Sequence, residues 1–167
     1  MTGLFSSFVS GRAARRALAV SLLAGVSLSA MAQTRVEDPW VRTTVPGQPS
    51  SGAFMRITAQ TDSRLLSVAS PVASDVQVHE MSMSHDVMRM GPVDSVPLPA
   101  GKTVSLDPDG YHVMLMGLKG QIKEGDQVPL ILTIESDGGV RETLQVSAPA
   151  RSMHDAMNMG HDHGDSH

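Results

Sequence analysis

Between residues 36 and 148 the chain is cut by turn chemistry into short runs in which apolar and polar residues alternate. No stretch holds a 3.6-residue apolar period for three turns. The runs at 36–42, 52–59, 64–70, 75–83, 87–90, 103–106, 111–118, 128–135 and 140–148 are each of strand length. Pro46-Gly47, Ala100-Gly101, Asp107-Pro108-Asp109-Gly110 and Asp137-Gly138-Gly139 separate them. The last of these stands between two alternating runs and is a strong hairpin signal. Strands of this length joined by tight turns close as an antiparallel sandwich or Greek-key barrel, so the expected class is all-β. At 167 residues the chain is long enough for one domain with a sizeable core.

The two ends differ from this body. Arg12, Arg15 and Arg16 precede the apolar run ALAVSLLAGVSLS at 17–29, and Ala30-Met31-Ala32 supplies a small-x-small cleavage pattern. Residues 1–32 therefore read as a secretory signal, with the mature chain beginning at Gln33 and located in the periplasm. The apolar run is shorter than the ~20 residues that cross a bilayer, so no stable membrane insertion is expected after cleavage. Losing three arginines and no acidic residue takes the formal charge from −4 to −7, which argues against nucleic acid as a partner. Residues 33–149 are expected to form the β-domain. Residues 150–167 read as a flexible, disordered tail rich in His and Met.

Cysteine is absent, which excludes disulfides, zinc-thiolate and iron–sulfur sites, thiol nucleophiles, blue copper and a lipid carried on cysteine. Methionine is abundant instead, with 12 in the chain, beside seven histidines. In a strand, alternate side chains share a face. In 111–118, Tyr111, Val113 and Leu115 face one way, and His112, Met114 and Met116 the other. In 75–83, Val76 and Val78 oppose a row of His79, Met81 and Met83, and in 87–90 Met88 and Met90 point together. Taken singly, a methionine on a strand is ordinary core filling and a histidine an ordinary polar residue. Three one-sided rows are better explained by a site. Neutral thioether sulfur with imidazole suits Cu(I), whereas harder ions require carboxylate, carbonyl or thiolate ligands.

The spacing His79-x10-Met90-x21-His112-x-Met114 resembles the ligand motif of the PCu(A)C periplasmic copper chaperones. So do His79-Glu80-Met81, Met88-Arg89-Met90, Pro99-Ala100-Gly101, the run from Gly110 to Leu118 (GYHVMLMGL), and Lys123-Glu124-Gly125-Asp126. The likeness spans roughly residues 35–148, with no departure at the four ligand positions. It implies a cupredoxin-like Greek-key β-sandwich, Cu(I) held by His79, Met90, His112 and Met114, and delivery to the CuA centre of cytochrome c oxidase. The implied partner is oxidase subunit II or another copper-assembly protein. Met81 is kept outside the four-ligand set, and Met55 is expected in the core.

The tail offers a second set of donors. Met153, His154, Met157, Met159, His161, His163 and His167 are interleaved with Asp155, Asp162 and Asp165. Imidazole and carboxylate suit Cu(II), so a second copper site in the tail is expected, against the plainer reading of a solvated acidic tail. A copper-buffering or resistance protein would need the same ligands as a chaperone. A copper-dependent redox enzyme assisting oxidase assembly is the alternative of another class. Against it, the chain has no nucleophile elbow, phosphate loop or dinucleotide fingerprint, and Glu80 and Asp86 read as solvated strand-end charges. The chain is expected to be a monomer and not an enzyme.

Overall fold

A computed structural model describes residues 34–155. Ten strands follow in chain order: β1 (Thr34–Arg42), β2 (Ser50–Ala59), β3 (Ser63–Ala69), β4 (Ala73–Ser84) and β5 (Val87–Pro92). After them come β6 (Val96–Leu98), β7 (Thr103–Leu106), β8 (Tyr111–Leu118), β9 (Gln127–Ser136) and β10 (Arg141–Arg151). They pair in the order β5-β4-β8-β7-β2-β1-β10-β9-β3-β6, with a further pairing of β8 to β2. The first six strands and the last four make two sheets. They join where β1 runs parallel to β10 through Val41 opposite Ala150 and Arg42 opposite Arg151.

Both sheets contribute to one core. Ala53, Met55 and Ile57 of β2 and Val113 and Leu115 of β8 enclose it with Leu65 of β3, Leu130, Leu132 and Ile134 of β9, and Ala148 of β10. Each fully buried Leu or Ile contributes about 1.5–3 kcal/mol, and the period-two alternation is what directs these side chains to one face. The fold is a cupredoxin-like β-sandwich, as expected, and Met55 is 2% exposed within the core.

The structure departs from the sequence expectations at three places. β6 was not anticipated, because Val-Pro-Leu is short and proline removes a ladder donor. It survives at the sheet edge, where Val96 and Leu98 point inward and Pro97 is exposed. β5 continues to Pro92, so Met90 lies well inside a strand rather than at its end. β10 runs to Arg151, past the boundary drawn at 149, with Ala150 buried. Beyond it, residues 153–155 are helical, and Ser152 Oγ accepts from the Asp155 backbone N–H at 3.2 Å. The signal segment and Met157, Met159, His161, His163 and His167 of the tail lie outside the described residues.

Candidate metal centre

The site is built on the outer face of β5-β4-β8, where alternation and register act together. On β4, residues 75, 77, 79, 81 and 83 share that face. Cross-strand pairing sets His79 opposite His112, Gln77 opposite Met114 and Asp75 opposite Met116. On the other side of β4, Met81 stands opposite Met90 and Met83 opposite Met88. The three separate rows of the sequence thus become one contiguous patch. The inner face of the same strands carries Val78, Val113 and Leu115.

His79 and His112 are 9% and 5% exposed, with ring centroids 5.9 Å apart at an interplanar angle of 65°. Each ring has one nitrogen committed to the protein. His112 Nδ1 lies 3.2 Å from the Gly110 carbonyl, which can only accept, so Nδ1 holds the proton and Nε2 carries a free lone pair. That Nε2 is 3.2 Å from Met90 Sδ. Imidazole nitrogen and thioether sulfur are then two lone-pair donors facing one another with no proton between them. A soft cation would satisfy both.

His79 is held in the complementary tautomer. Gln77 Nε2 donates to Asp75 Oδ2 at 2.9 Å, which orients the amide, and Gln77 Oε1 accepts from His79 Nε2–H at 3.1 Å. His79 Nδ1 is left buried without a hydrogen-bond partner. A buried lone pair of this kind is costly unless something occupies it. Burial lowers the His79 pKa below its usual 6.5, the His112 imidazole lowers it further, and Asp75 partly opposes them. The ring is therefore kept neutral, the form in which imidazole ligates metal. Asp75, Gln77 and Gly110 were not anticipated as participants. The first two were readable in principle, because they lie four and two residues before His79 on one strand face.

Met114 follows His112 by two residues on that face and is half-buried, whereas Met90 is 53% exposed. His112 thus meets both Met90 and His79, with Met114 two residues along the same strand face. Among the described residues no three His, Asp or Glu side chains converge in a way that could hold an ion. Glu80 lies on the opposite face across from Tyr111. The Tyr111 phenol is pushed up by burial and by the neighbouring Glu80 carboxylate. Of the tail donors, Met153, His154 and Asp155 are described.

The family model of LpqE-like lipoproteins matches residues 34–149. A relative from Leifsonia xyli subsp. xyli (strain CTCB07), Lxx21020, also named as a lipoprotein, is 30% identical over 135 residues, covering 75% of this chain and 79% of its own. Among solved structures, the apo PCuAC domain from PmoF1 superposes with a TM-score of 0.58 at 20% identity, covering 72% of this chain and 94% of that domain. The copper-bound PCuAC domain from PmoF2 does so with 0.55 at 22%, covering 73% and 97%. At those identities the two establish the fold. The solution structure of CuI-DR1885 from Deinococcus radiodurans matches with 0.52 at 29%, covering 77% and 84%. The chain belongs to the LpqE-like family, which is the PCuAC family.

Proposed function

We propose that the protein is an exported copper chaperone of the periplasm. It binds Cu(I) through His79 Nδ1, His112 Nε2, Met90 Sδ and Met114 Sδ, and delivers it to the CuA centre on subunit II of cytochrome c oxidase. The observation that carries the ligand assignment is the pair of unprotonated lone pairs, His112 Nε2 facing Met90 Sδ at 3.2 Å beside the orphaned His79 Nδ1. Four neutral donors leave the ion its positive charge and hold it less tightly than thiolates would, which suits a cargo that must leave. The copper-bound PmoF2 domain and CuI-DR1885 support copper as the cargo, and the lipoprotein relative supports export. The protein needs no acid, base or nucleophile for this role, because the ion changes ligands without a substrate being turned over.

Competition against a Cu(I) chelator tests the ligands. His112→Ala and Met114→Ala each weaken binding by about a hundredfold or more, while Met55→Leu, buried on the inner face, leaves it unchanged. Near-wild-type affinity in either alanine variant overturns the assignment. Delivery is tested in cells: deletion reduces assembly of active oxidase at low copper. A deletion that leaves oxidase assembly intact and only sensitises the cell to excess copper would replace delivery with buffering.

A further inference from the structure

We propose that Met83 and Met88 form a second, outer Cu(I) site at the tip of the β4–β5 hairpin, from which the ion steps inward past Met81 and Met90 to the two imidazoles. The proposal rests on the reading of the sheet site as a Cu(I) site. None of the four ligands assigned above accounts for Met81, Met83 or Met88.

Register carries the argument. His85 and Asp86, with φ of 51° and 61°, form a two-residue turn of the kind that matches strand twist. Ser84 then pairs with Val87, Met83 with Met88, and Met81 with Met90, without slippage. Directly opposed residues have Cβ atoms about 4.5–5.5 Å apart, a gap that two flexible thioether side chains can close around one ion. Each further pair lies two residues along the strand, a step of about 6.7 Å. Three such pairs, Met83/Met88, Met81/Met90 and His79/His112, lead from the hairpin tip to the buried rings.

Exposure separates this set from core filling. Met83 is 68% exposed and Met88 53%, so neither is accounted for by burial. Their neighbours Ser82, Ser84 and Arg89 point to the other face of the hairpin, leaving the outer row purely thioether. Two neutral sulfurs match Cu(I) and offer nothing to hard cations. Without the two buried imidazoles of the inner site, the outer pair binds more weakly, so the gradient along the ladder runs inward. The ion stays Cu(I) throughout and exchanges one thioether for the next.

The test uses the chain with its tail, labelled with 13C at the methionine methyls and titrated with Cu(I) supplied as its acetonitrile complex without oxygen. Met90 and Met114 methyls shift over the first equivalent, and Met83 and Met88 methyls shift over a later one. The Met83→Leu/Met88→Leu variant loses one equivalent and loads its inner site severalfold more slowly, with the inner-site affinity unchanged. Met83 and Met88 methyls that stay still to saturation, with Met90 and Met114 responding, overturn the outer site and leave the inner one standing. Unchanged stoichiometry and loading rate in the double variant do the same. If Met90 and Met114 themselves fail to respond, the copper reading of the sheet fails, and the outer site with it.

Discussion

At the scale of single residues, the site depends on which nitrogen of each imidazole is free. Gly110 fixes His112 with Nε2 bare, and the Asp75–Gln77 pair fixes His79 with Nδ1 bare. His79 is also the residue whose titration is displaced. Its pKa lies below 6.5, chiefly through burial and then through His112. The sign follows directly. A ring with a depressed pKa stays neutral to lower pH than an ordinary histidine, so on the proposed ligand set protons would displace Cu(I) from this nitrogen only below the usual histidine range. In the metal-free protein the unfolded chain takes up the proton first, so stability falls as pH drops below about 6.5. Gln77→Ala removes the acceptor that holds Nε2–H. It is expected to weaken Cu(I) binding by about tenfold or more, read by chelator competition at neutral pH, with the strand ladder intact by far-UV circular dichroism.

At the scale of elements, Glu135 shows how β9 is tied to both neighbours. It is the direct cross-strand partner of Arg64 on β3 and of Arg141 on β10. It accepts from Arg141 Nε at 2.8 Å and from an Arg64 guanidinium nitrogen at 3.2 Å. The Arg141 hydrogen bond is the main reason its carboxyl titrates below the ordinary value of 4.5. A depressed carboxylate pKa contributes stability above the unfolded value and loses it as pH falls through the folded one. Glu135→Gln is therefore expected to lower the urea midpoint slightly at pH 7, with the difference shrinking as pH falls below about 4.5. Elements also mark how far the sequence could be read. Alternation alone places His79, Met81 and Met83 on one face of β4, and His112, Met114 and Met116 on one face of β8, because the side-chain period of a strand is local. Pairing is not local: that Met81 faces Met90 depends on a turn made by His85 and Asp86 without glycine, which gives no hairpin signature. Val96–Leu98 stayed hidden because its pairing with β3 comes from the tertiary fold, against a proline-rich local sequence.

At the scale of the molecule, the sandwich is closed by a small seam, and that seam passes through residues first assigned to the tail. Besides the two register pairs of β1 with β10, the Ala150 backbone N–H donates to the Asp126 carbonyl at 2.7 Å, and its carbonyl accepts from Gly125 at 3.1 Å. The Arg151 carbonyl accepts from Thr43 at 3.0 Å. Ending the chain after Pro149 removes all of these and strips a buried alanine from the core. At about 0.5–1.5 kcal/mol for each backbone bond, the loss is about 2–4 kcal/mol, a large share of the ~5–15 kcal/mol that holds a domain of this size. Such a chain should melt about 10 °C or more below the whole protein, whereas one ending after Ser152 should melt with it. The distinction matters for the tail site. A truncation at 149 would lose copper by loosening the sandwich, and that loss would be mistaken for missing ligands. Comparing the whole chain with one ending after Ser152 holds the sheet donors constant and removes Met153, His154, Met157, Met159, His161 and His163 together. If the tail is a second copper site, the whole chain takes up more copper than the shortened one, and the excess is most evident with Cu(II), for which the sheet's thioethers are poor ligands. Equal uptake of both oxidation states would leave the tail without a role in binding, and every copper equivalent would then belong to the sheet.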